Sequence, residues 1–149
     1  MGQSTDAVLF FGFDLGEDFA LPWKQGGDDD LSWEEAYAEK KGLEYPRHLS
    51  GLSEWTEEQS KEYRAYSEKK SEIVKAVGVD VSSHCSCEYP MYYVYTRQHM
   101  ASRGYPEVID RSMLEVEPED VTKLREFCRF MGIDVGDKDP QWFLASDWC

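Results

Sequence analysis

Residues 79–98, VDVSSHCSCEYPMYYVYTRQ, decide how the chain folds. They are rich in Val, Tyr and other strand formers, and EYP breaks them near the middle. The pattern predicts two strands, over 79–87 and 91–98, joined by a turn. Successive side chains of a strand point to opposite faces. Val79, Val81, Ser83, Cys85 and Cys87 then share one face, and Asp80, Ser82, His84 and Ser86 share the other. The first set is apolar or small and is expected to face the core; the polar set is expected to face water.

The same stretch poses a chemical question, because His84, Cys85 and Cys87 stand almost side by side. A zinc site needs four convergent ligands, and paired cysteines usually have two or more residues between them. Cys85 and Cys87 are separated by one residue, and alternation sends His84 away from both. Cys128 and Cys149 complete a ligand set only if the chain folds back. A zinc or hydrolytic site at His84, Cys85 and Cys87 is therefore the alternative reading, and buried strand residues the preferred one. No basic residue adjoins the two thiols to lower their pKa, and Glu88 beside Cys87 opposes ionisation.

Outward from this hairpin, residues 7–13 form a first apolar run that reads as a buried strand. Residues 14–31, with Gly16, Pro22, Gly26 and Gly27, read as loop. Ser32 and Glu35 form a capping-box pattern that predicts a helix ending at Gly42. A second helix is expected from Thr56 to about Val77, with Gly78 as its stop. Residues 105–109, YPEVI, suggest a short edge strand. A third helix is expected from Pro118 to Met131, ending at Gly132. The tail, DPQWFLASDWC, is expected to pack back on the domain because it is so aromatic. These elements predict one α+β domain over residues 1–149, a small, mainly antiparallel sheet with about three helices packed on one face.

Composition narrows the function. Thirty acidic residues against sixteen basic give a net charge of −14 in 149 residues. Such a surface repels nucleic acid and anionic membranes and favours basic protein partners. No apolar run approaches the roughly 20 residues that span a bilayer, and the N-terminus lacks the basic region of a signal peptide. The four cysteines then read as reduced thiols of a cytoplasmic protein. No phosphate-binding loop, dinucleotide fingerprint or nucleophile elbow occurs, so no cofactor is expected and the reading leans away from an enzyme. Asp28, Asp30, Ser32 and Glu39 have the spacing of a calcium loop, but Trp33 stands where the sharp turn needs glycine.

The acids crowd into residues 14–62, where fourteen carboxylates face five bases and are interleaved with Trp23, Trp33, Tyr45 and Trp55. An acidic surface with aromatic anchors suits the binding of a basic groove. The expected contact residues are Asp28, Asp29, Asp30, Glu34, Glu35 and Glu39, with Trp33 as the aromatic anchor.

STDAVLFFGFD, the LPW ending at Trp23, SSHCSCEYPMYYV and ASRGYPEVI together resemble small uncharacterised acidic accessory proteins of tailed phages and prophages. The resemblance spans about the first 110 residues as scattered segments and carries no catalytic residues. It implies a setting in the bacterial cytoplasm. There an acidic protein is expected to act as a nucleic-acid mimic, docking a basic host protein and inhibiting a host defence complex by charge complementarity.

Overall fold

The computed structural model describes residues 5–27 and 30–148. The chain divides into two compact units, Met1–Ala20 with Val79–Cys149, and Leu21–Gly78. Among the described residues, the first carries the four strands and one α-helix, and the second carries two α-helices. The fold class is α+β, with a four-stranded, mostly antiparallel sheet and three helices.

The first unit is built on β1 (Asp6–Gly16), β2 (Asp80–Ser86), β3 (Pro90–Ala101) and β4 (Gln141–Trp148). They join in the ring order β1-β3-β2-β4, closed into a small barrel. β1 lies between β3 and β4 and pairs antiparallel with both. β2 pairs antiparallel with β3 and meets β4 in parallel only at Cys85–Asp147 and Ser86–Trp148. The predicted hairpin of β2 and β3 is present, and the first apolar run is β1.

Inside the barrel, Val8, Phe10 and Tyr93 are buried, with Tyr95, Phe143 and Ala145 packed against them. The Phe10 ring stacks on Tyr93 at 4.1 Å and on Phe143 at 5.2 Å between centroids. Burying such rings supplies roughly 1.5–3 kcal/mol each. β1 and β3 slip register between Phe11 and Gly12. At that slip a Cβ on Gly12 would stand 1.8 Å from the Val94 carbonyl oxygen, so only glycine fits.

The third helix, α3 (Pro118–Met131), packs on β3 and buries Leu124, Phe127, Cys128 and Met131. These positions recur at helical spacing, so they lie on one face. The helix ends at Gly132, whose φ of 77° lies in the left-handed region. Asp120 Oδ2 accepts from Glu117 N at 3.0 Å and from Arg97 Nε at 3.1 Å, tying the start of α3 to β3.

In the second unit, α1 (Trp33–Lys40) and α2 (Glu57–Lys75) each begin with a complete capping box, Ser32 with Glu35 and Thr56 with Gln59. Each box satisfies donors that the first helical turn leaves free. The T-shaped pair of Tyr45 and Tyr66 (5.6 Å) and the Trp55–Tyr63 contact (4.8 Å) pack this unit.

Two expectations need correction, and a third is filled out: the tail does pack back on its unit, as a paired strand. Residues 105–109 form no strand, because Pro106 offers no ladder donor and the segment runs in open coil. The tail is a strand, β4, whose Phe143 and Ala145 turn inward while Leu144 and Ser146 are exposed. The inward face of β2 is the polar one: His84 lies against Phe10 and Tyr93, at 6.3 and 5.8 Å between ring centroids. Alternation separates two faces without saying which is inside, and His84 finds its partner, Asp14, on a strand distant in sequence.

Candidate binding surfaces and the His84 cluster

β2 brings His84 into the barrel, where only 13% of its side chain is exposed. Its Nε2 lies 2.9 Å from Asp14 Oδ1, near the end of β1. These strands are not neighbours in the ring, so the pair bridges the barrel interior. Gln98 Nε2 donates to the Tyr93 hydroxyl at 2.8 Å, and Ser82 is hydrogen-bonded to Tyr93 as well. The Tyr95 hydroxyl donates to Asp80 Oδ2 at 3.1 Å. Burial pushes the ionisation of Tyr93 and Tyr95 upward, and Asp80 adds to the shift of Tyr95. Buried polar groups need such partners, so the cluster reads as a satisfied interior network.

The cysteines do not converge on His84. Cys87 is disulfide-bonded, and Cys85 and Cys128 are free. This corrects the expectation of four reduced thiols; Cys149 lies outside the described residues. Burial pushes the Cys128 thiol up to about 12, which removes it as a nucleophile near neutral pH. Among the described residues no group of three or more His, Cys, Asp or Glu is placed to hold a metal ion. The other histidines also have partners. His48 Nε2 lies 3.1 Å from Glu62, and His99 Nε2 donates to the Met113 carbonyl at 3.2 Å.

Three of the six acids expected at a partner interface, Asp30, Glu35 and Glu39, serve the second unit itself. Asp28 and Asp29 lie outside the described residues. Asp30 accepts from the backbone N–H of Gln25 at 2.8 Å and of Gly26 at 3.1 Å. These bonds, the first above all, hold its carboxyl below the usual carboxylate range. Glu35 closes the capping box of α1 and lies 3.6 Å from Lys70 Nζ. Glu39 accepts two bonds from Arg47 Nη2, at 3.0 and 3.3 Å. Trp33 is half-buried. Glu34 lines a shallow cleft with Ser67, Lys70, Ser71, Val74 and Lys75.

Charge is distributed unlike the segment count implied. Residues 21–78 hold thirteen acids and nine bases, because Arg64, Lys69, Lys70 and Lys75 on α2 offset the acids before them. The barrel unit holds seventeen acids and seven bases, a net of −10 out of −14.

That unit also carries most of the exposed large apolar side chains, among them Tyr89, Tyr105, Val108 and Leu144. Tyr105 and Leu144 line an open groove of about 690 Å³, together with residues 5–7, 101–104 and 145–146. Sequence reasoning missed this groove. Its signals were Pro106, which argues against a strand, and the outward phase of Leu144 in a period-2 tail.

No protein-family model matches the chain, nor does any curated protein or solved structure. Among the described residues no helix is long and apolar enough to cross a membrane.

Proposed function

We propose that the chain is a non-enzymatic binding protein of phage origin. It docks a basic host protein, acting as a nucleic-acid mimic that inhibits a host defence complex. The observation that carries this reading is the net charge of −14, of which −10 belongs to the barrel unit. Such a field speeds encounter with a cationic surface and repels polynucleotides of its own sign. The acids on and just before α1 give the reading little support, because Asp30, Glu35 and Glu39 are engaged inside their own unit. The exposed acids of the barrel unit, such as Glu107, Glu115 and Asp137, take their place.

This reading is preferred to a zinc or hydrolytic site at His84, Cys85 and Cys87. Nε2 of His84 is engaged by Asp14, and the sulfur of Cys87 by a disulfide. Affinity capture from a bacterial lysate at low and high salt tests the proposal. A specific cationic protein should be retained at low salt, released by high salt and displaced by added DNA. The triple variant Glu107→Lys, Glu115→Lys and Asp137→Lys should lose it while keeping the wild-type circular dichroism. Retention that ignores salt, DNA and charge reversal would overturn the proposal.

A further inference from the structure

The outer face of the barrel has one row that is all small. Ser146 of β4 pairs with Ala7 of β1, and Ala7 pairs with Ala101 of β3. The next row, Leu144–Leu9–His99, is larger. Beyond it, Trp142 packs on Phe11 and on His99, and its indole N–H donates to the Leu114 carbonyl at 3.1 Å. The small row is therefore a floor, and Leu144 and Tyr105 rise beside it, 77% and 74% exposed. Gly104 continues the lining and adds no side chain. Two large apolar groups standing in water above a floor of small residues form a receptor for a bulky apolar side chain.

The border of this groove has a sign. In the lining Asp6 and Arg103 balance, but the exposed Glu107 and Asp110 follow Tyr105 along the chain and the unit as a whole carries −10. Asp6 accepts from the backbone N–H of Arg103 at 3.1 Å. A second copy of the chain would bring another −14 to the same place, and an anionic membrane or nucleic acid would likewise be repelled.

We infer that the Tyr105–Leu144 groove binds a cationic protein segment by inserting one large apolar side chain between those two residues, with the flanking acids holding its Lys or Arg neighbours. This rests on the reading of the chain as a binder of basic proteins, and it names the surface used. Hydrophobic insertion fixes position, and the acids supply attraction at a distance.

Two fluorescent peptides titrated into the full chain test it by anisotropy: a Lys/Arg-rich peptide carrying Leu residues, and the same peptide with Ser for Leu. The Leu peptide should bind about tenfold tighter. Tyr105→Ser and Leu144→Ser, at exposed positions, should erase that advantage and leave the Ser peptide's affinity unchanged. Equal binding of both peptides, untouched by either variant, would overturn the groove while the electrostatic reading stands. Failure of both peptides to bind would overturn both. A wild-type dimer in sedimentation that Leu144→Ser dissociates would assign the groove to a second copy and overturn the cationic occupant.

Discussion

Gly12 and Thr96 mark the same irregularity from opposite strands. The register passes from Phe11–Arg97 to Gly12–Tyr95, so Thr96 is the extra residue of β3. Its Oγ1 is buried without a hydrogen-bond partner. Thr96→Val should therefore raise stability by about 1 kcal/mol, read as a higher urea midpoint at unchanged slope. Gly12→Ala should do the opposite. Its methyl group meets backbone, which cannot rotate away, and a loss of about 3 kcal/mol is expected in the same titration. Neither effect was visible beforehand. A glycine in an apolar run announces a close approach of something, and the fold names it as the Val94 carbonyl. His84 teaches the same lesson with a polar group. Its alternation was legible, but the carboxylate that makes its burial tolerable sits seventy residues earlier, at Asp14.

Among elements, the helices were the most legible, because their ends are written locally. Ser32 with Glu35, Thr56 ahead of α2, and Pro118 with Gly132 around α3 mark boundaries within a few residues of where they fall. Such signals need no distant partner. The strands were legible in part: β4 was read as a packed tail, since its pairing with β1 spans most of the chain. Asp120 shows how a local signal acquires a tertiary task. Asp120→Ala removes both the bond from Glu117 N and the Arg97 pair and should cost about 2 kcal/mol in chemical denaturation. Asp120→Asn keeps an acceptor for the cap and should recover about half of that loss. Alkaline titration probes the buried tyrosines of both units. Burial raises the ionisation of Tyr66, Tyr93 and Tyr95 above the ordinary value of 10.0. Their contribution to stability is complete below pH 10 and falls away above it, because the unfolded chain releases those protons first. Tyrosinate absorbance should show three late-ionising groups that appear together with unfolding.

At the scale of the whole molecule, the charge of −14 makes the folded chain repel itself. Raising salt from low ionic strength to about 0.15 M should therefore raise the melting temperature, as screening shortens the reach of that repulsion. A melting temperature that falls with salt would show the ion pairs, such as Arg97–Asp120, to outweigh it. Asp30 works in the opposite sense at low pH. Its carboxyl is held below the ordinary 3.8 by backbone donors, so its contribution is complete above that pH and is lost as pH falls beneath it. Asp30→Asn should flatten the acid limb of the stability profile. By itself the sequence determined the net charge, the helix ends, the strand character of residues 79–98 and the α+β class, all of which depend on composition or on neighbours along the chain. Only the tertiary structure decided which face of β2 is inside, that the tail completes the barrel, that acids near α1 are engaged within their unit, and that a row of small residues leaves a groove beneath Tyr105 and Leu144. Each of those outcomes depends on which residues meet across strands far apart in sequence, and a pattern read along one strand carries no information about its partner.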